Sequence, residues 1–247
     1  VFRDGFDTEP SWGSATPWTG TQWHVESWGL PPSYPTLVAS PRRRGRAVSA
    51  LSSPSQPNPY RTEMTPDSAR FHGRLADGVE YVIRVATYVR RYDFANAPTW
   101  MTIVQRKGTP GRGADGKVDW SCESGRNPVS LTLARGRYGV NINTRPAASA
   151  PYGALADRDV WSRRLVPRRW VHWKIRLIPS QKRDGVVQVW RNGRLVASHR
   201  GRNKDTGDSC GHRDTPVVFF KIGTYRQYDN TATQEVLYDD VRIDRVG

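Results

Sequence analysis

Eight runs of β-branched and aromatic residues, cut apart by Gly, Pro, Asn and Asp, dominate this sequence and leave little with the period of an amphipathic helix. They lie at 79–90, 99–107, 129–134, 138–145, 170–178, 185–200, 217–227 and 236–244. The run at 185–200 contains WRNGRL. Its Asn192-Gly193 is the dipeptide that a two-residue type I′ hairpin demands, because both central residues take positive φ. Many short strands with turns of this kind predict an all-β chain built as a two-sheet antiparallel sandwich. The 247 residues show no internal repeat and no linker, so one domain over 1–247 is expected. The Pro/Ser-rich stretch 52–59 reads as a surface loop leading into a further strand at 60–64.

Charge narrows the partners. The chain carries 38 Lys and Arg against 23 Asp and Glu, a formal net charge of +15. That imbalance predicts attraction to a polyanion: a nucleic acid, an anionic membrane or an acidic polysaccharide. The basic residues are scattered, with RRRGR at 42–46 the one dense run, which argues for a charged folded surface over a disordered nucleic-acid arm. Platforms for single-stranded nucleic acid need aromatics on the basic face, and the tryptophans fall mostly outside the polar strand sets described next. No stretch approaches 18 consecutive apolar residues, so no helical membrane span is expected. The expectation is a monomer whose partner is an anionic polysaccharide, with neither nucleic acid nor membrane involved.

Cys122 and Cys210 both sit in polar, Gly/Ser-rich surroundings, unlike buried structural thiols. A disulfide between them is the reading, and it favours an oxidising compartment; two unpaired surface thiols are the alternative. Neither has a CxxC partner, which argues against zinc. The chain opens at Val1 within sequence that reads as folded, so a processed, secreted, extracellular protein is expected.

Four segments place polar side chains together on one strand face. Arg61 and Glu63 alternate in YRTEM, and Gln105 and Lys107 in WMTIVQRK. Asn141, Asn143 and Arg145 share a face in YGVNINTR, opposite Val140 and Ile142. Lys221, Tyr225 and Gln227 share one in FFKIGTYRQ, opposite Phe220 and Ile222. The period of two makes each set project together. Each set alone fits a solvated sheet face; four together fit one sheet with a polar, cationic concave surface and a core-facing back. A uronate polymer needs such a surface: cations and amides for its carboxylates, and a proton-transfer group at the scissile sugar. Glycosidase chemistry needs two facing carboxylates, and no E-x-D-x-E strand is present.

These segments resemble known lyases. FFKIGTYRQ is similar to the YFKxGxYxQ signature of the alginate lyases of polysaccharide lyase family 7; YRTEM resembles that family's R-T/S-E strand, and VQRK falls at its Q-x-H triplet. The downstream run is closer to the heparin-lyase-I-like group and the glucuronan lyases of family 20. Here WVHWKI, DGVVQVWRNGRLV, FFKIGTY and YDDVRID follow in that group's order, after an opening FRDGFDTE that also resembles it. The resemblance spans nearly the whole chain. It implies a β-jelly roll of the concanavalin/alginate-lyase-like kind whose concave sheet binds the polysaccharide, and a lyase acting by β-elimination on glucuronan first, with alginate, polymannuronate or heparin-type chains as the alternatives.

On the same resemblance Tyr225 matches the catalytic tyrosine, Lys221 and Gln227 its cleft neighbours, and Arg61 and Gln105 the groups that hold the uronate carboxylate. Glu63, Lys107, Asn141, Asn143 and Arg145 complete the substrate-binding candidates. Lys107 stands where family 7 has histidine, which puts a paired His/Tyr mechanism in doubt; His72, after the RTEM strand, is the histidine able to swing into the cleft. No cofactor is expected for the chemistry. Family 20-like jelly rolls hold a structural Ca²⁺, and Asp4, Asp7 and Asp240 are oxygen ligands of the kind it takes; solvated acids at strand ends are the alternative. A non-catalytic module binding acidic glycans is the competing reading of the whole chain.

Overall fold

The computed structural model describes residues 2–7, 12–13, 23–25, 33–41, 44–66, 74–108, 128–146, 155–204, 218–227 and 232–247, with backbone alone at 12–13, 74, 106–108, 143–146, 155–157 and 218–219. Seventeen strands and no helix lie among these residues. The first nine are β1 (Phe2–Asp4), β2 (Trp12–Gly13), β3 (Trp23–Val25), β4 (Thr36–Ala39), β5 (Arg46–Ser52), β6 (Arg61–Pro66), β7 (Arg74–Leu75), β8 (Glu80–Arg91) and β9 (Met101–Gly108). The rest are β10 (Val129–Ala134), β11 (Arg137–Pro146), β12 (Leu155–Arg164), β13 (Trp170–Ile178), β14 (Val186–Arg191), β15 (Arg194–Arg200), β16 (Val218–Arg226) and β17 (Gln234–Val246).

They form two sheets. Sheet A runs β15-β14-β13-β8-β17-β5-β4, with β1 against β17. Sheet B runs β12-β11-β10-β9-β16-β6-β3-β2, with β7 against β16. Pairing is antiparallel except between β2 and β3. Each sheet turns alternate side chains onto a shared core: Ile83, Val85, Ile175, Val189, Val241 and Ile243 from sheet A, and Met64, Leu131, Leu133, Val140, Ile142, Phe220 and Ile222 from sheet B. Burying a side chain of this size stabilises the fold by roughly 1.5–3 kcal/mol, so the alternation read from the sequence sets which face of each strand packs. Each of the eight expected runs contains a strand or hairpin, with ends displaced by two residues at most. Asn192 and Gly193 have φ of 49° and 80°, both positive as a type I′ turn requires.

Candidate active site

Strand register lines up two rows of polar side chains on the face of sheet B turned away from the core. In one, Lys221 on β16 stands opposite Gln105 on β9, Gln105 opposite Ser130 on β10, and Ser130 opposite Asn141 on β11. In the other, Arg61 on β6 stands opposite Tyr225 on β16, Tyr225 opposite Thr102 on β9, and Thr102 opposite Thr132 on β10. Glu63 lies between the rows, opposite Gly223. Directly opposed residues share a face and touch, so the sheet gathers Arg61, Glu63, Gln105, Lys221 and Tyr225 from three neighbouring strands.

An irregularity in β9 makes the two rows coincide. Val104 pairs with Leu131 and Ile222, whereas Thr102 pairs with Thr132 and Tyr225, and both register shifts flank Ile103. Ile103 and Val104 are consecutive yet both packed in the core. This bulge returns Thr102 to the face of Gln105, as bulges do when they re-aim side chains beside functional sites. Across it, Gly223 has φ of +129°, and a Cβ there would fall 2.1 Å from the Thr62 carbonyl oxygen. Tyr238, on β17 of sheet A, reaches through the core; its hydroxyl is shared between the carbonyls of Ile103 at 2.9 Å and Gly223 at 2.8 Å. Burial pushes the Tyr238 phenol well above its ordinary value, so it remains a neutral donor. Gly223→Ala is therefore expected to destabilise the protein by about 3 kcal/mol or more. Denaturant unfolding checks this; a variant as stable as the parent would show that β6 and β16 need no such close approach.

The charged groups here are buried, and a buried charge is costly unless paired. Arg61 and Glu63 are 2% and 1% exposed, with Arg61 Nε 3.3 Å from Glu63 Oε2. Glu63 Oε1 accepts a hydrogen bond from Gln105 Nε2. Glu63 thus fixes both groups that its neighbours present. The Arg61 guanidinium carbon lies 4.0 Å from the centroid of the Tyr225 ring, a cation–π contact. Trp100 meets the same ring edge to face, with centroids 5.1 Å apart.

Gln227, just beyond β16, is engaged with the strand beside Tyr225: its Oε1 accepts from Thr99 N at 2.6 Å and from the Thr99 hydroxyl. That clamps the start of β9 and with it Trp100. Trp100 and Tyr238 were not among the residues singled out from the sequence. Trp100 sits before the bulge, which breaks the alternation that would have tied it to the set, and Tyr238 belongs to the other sheet.

Lys107, Asn143 and Arg145 lie on β9 and β11 with backbone alone described, while His72, Cys122 and Cys210 lie outside the described residues. Asp4, Asp7 and Asp240 line one cavity on sheet A. Asp4, however, spends both carboxylate oxygens internally: Oδ1 accepts from Phe6 N and Oδ2 from Trp23 Nε1, each at 2.7 Å. Its burial holds the carboxyl above its ordinary value. No group of three His, Cys, Asp or Glu side chains that could hold a metal occurs among the described residues. The expected Ca²⁺ set therefore does not form such a group among the described residues, and Asp4 anchors the Trp23 indole.

The sequence profile of the polysaccharide lyase family matches residues 11–242, and the chain belongs to that family. No curated protein matches the sequence. Among solved structures, the endo-β-1,4-glucuronan lyase of the fungus Trichoderma reesei is similar over 96% of this chain and 94% of its own, at 15% identity and a TM-score of 0.62. A family 7 alginate lyase, A1-II′, in complex with product is similar over 81% of this chain and 80% of its own, at 12% identity and a TM-score of 0.54. The alginate lyase AlyC3 is similar over 81% and 75%, at 11% identity and a TM-score of 0.51. The fold is the β-jelly roll of these enzymes, and the protein is a polysaccharide lyase.

Proposed function

We propose that the chain cleaves a uronic-acid polymer by β-elimination, with Tyr225 as the proton-transfer group. The observation that carries this reading is the stacking of the Arg61 guanidinium on the Tyr225 ring, beside the row of Lys221, Gln105, Ser130 and Asn141. Positive charge held against a phenol favours the phenolate. The phenolate takes the C5 proton, and the electron pair of the C5–H bond forms the C4=C5 double bond as the C4–O bond breaks. The phenol then returns its proton to the departing oxygen, so the residue ends as it began. Negative charge spreading into the C6 carboxyl meets Arg61 and the Gln105 amide, with Lys221 alongside, and fixed donors at that position stabilise the transition state. Glu63 acts through them as a positioning residue. Asn141, half-buried at the end of this row, extends the polar surface along which the sugars lie.

One tyrosine suffices only for some sugars. In β-D-glucuronate and β-D-mannuronate the C5 proton and C4 oxygen lie on the same side of the ring, so one group serves both. In α-L-guluronate and α-L-iduronate they lie on opposite sides, and a second group must flank the ring. The substrate reading is therefore glucuronan first and polymannuronate second; similarity to a glucuronan lyase over nearly the whole chain supports that order. The expected result is a rise in absorbance of the unsaturated product with polyglucuronate, a smaller one with polymannuronate, and none with polyguluronate. Cleavage confined to guluronate or iduronate linkages would rule out the single-tyrosine mechanism.

A further inference from the structure

The face of sheet A turned away from the core carries a row of side chains for which the lyase site has no use. Register aligns Arg3 on β1 with Arg242 on β17, Arg242 with Arg84 on β8, Arg84 with Lys174 on β13, and Lys174 with Trp190 on β14. Neighbouring strands stand about 4.8 Å apart, so four cations form a line that ends on an indole. Like charges directly opposed across strands repel, and the core packing behind this row does not call for them. Asp244 offsets only the middle of the line, 2.8 Å from Arg84 Nη1 and 2.7 Å from Arg242 Nε. These are pairs in which Arg84 and Arg242 stay 47% and 43% exposed. Lys174 and Arg3 have no carboxylate partner among the described residues. Lys174 Nζ instead lies 4.2 Å from the centroid of the Trp190 ring.

The row borders a cavity of about 650 Å³. The acids in its wall, Asp4, Asp7 and Asp240, belong to β1, the residues after it and the adjoining bulge of β17, while His172, Lys174 and Trp190 form the opposite side. Asp4 faces inward to Trp23. The half of the row toward β14 is therefore cationic and aromatic, with Asp244 paired to its Arg84. Sugars present an apolar C–H face that packs on an indole, and a 1,4-linked uronate chain carries one carboxylate per sugar, which a line of cations can pair.

We propose that this row is a second, non-catalytic binding site for an extended anionic glycan, with carboxylates along Lys174 and Arg84 and a sugar ring on Trp190. The identity of the glycan rests on the substrate reading above; the existence of the site does not. It holds a polymer at one face of the sandwich while the other face cuts it, raising the local concentration of cleavable chain.

The test uses the full chain carrying Tyr225→Phe, so that polymer stays intact, and measures affinity for polyglucuronate, polymannuronate, heparin and a neutral β-glucan. Adding Trp190→Ala with Lys174→Ala is expected to weaken binding of at least one polyanion about tenfold and leave the neutral glucan unaffected. In the Tyr225-intact chain the same pair should raise KM for polymer while turnover of a tetrasaccharide, too short to reach both faces, is unchanged. Lys174→Gln alone, which perturbs packing least, should give a smaller loss in the same direction. If the melting temperature shows the double variant to be misfolded, this single variant decides. Undiminished binding of all three polyanions overturns the proposal, as does an equal loss for the neutral glucan. Polyanion binding lost through sheet A in a chain that cleaves no polyuronate would overturn the substrate reading and leave this one standing.

Discussion

Tyr225→Phe is expected to lower kcat on the polyuronate by about 10³-fold or more, within the range that a positioned general acid–base group contributes and beyond, because in the proposed mechanism one group serves both steps. The ring remains, so its contacts with Arg61 at 4.0 Å and Trp100 at 5.1 Å persist and stability should stay within about 0.5 kcal/mol of the parent. KM should change little, since in this proposal the hydroxyl acts on the reacting atoms while Arg61 and Gln105 hold the carboxylate. The measurement is steady-state turnover with a thermal melt on the same preparation. Near-parental turnover would remove Tyr225 from the chemistry. It would move the proton transfer to another residue on the same face.

The strands were legible where alternation and β-branched residues coincide, as in Trp170–Ile178, where Val171, Trp173, Ile175 and Leu177 all face the core. They were not legible where that signal is muted. Strand β5 reads RAVSALS; its small residues are buried on both faces, so no period of two stands out. Strand β12 lies at the edge of sheet B, and its LADRDVWSRR carries the charge that edge strands use to avoid pairing with other chains. The site divides in the same way. Arg61, Glu63, Lys221 and Tyr225 come together by simple alternation on two adjacent strands that pair without a register shift. Thr102 joins Gln105 only through the bulge at Ile103, and no residue type there announces an extra residue. The hydroxyl of Tyr238 reaches that bulge from the opposite sheet, a contact that depends on how the two layers stack and so has no signature along the chain.

The second large effect expected is that of Glu63. Its carboxylate is 1% exposed and is the counter-ion at Nε of an Arg61 that is itself 2% exposed. Removing one member of a buried pair leaves the other charge poorly compensated, which typically costs about 3–5 kcal/mol. Glu63→Leu should therefore lower the melting temperature by roughly 10 °C in a chain of this size. It should also abolish activity, because the Gln105 amide loses its acceptor at the same time. Glu63→Gln separates the two consequences. Its amide oxygen can still accept from Gln105 and fill the same volume, so the fold should survive with a smaller loss of stability. What it lacks is the negative charge that holds the Arg61 guanidinium against the Tyr225 ring. The glutamine variant should fold and bind polymer yet turn over at least about tenfold more slowly, as expected when oriented donors lose their alignment. Parent-like melting of Glu63→Leu would show that the pair does not hold this face together. Parent-like turnover of a folded Glu63→Gln would show that the charge at Glu63 has no part in positioning Arg61.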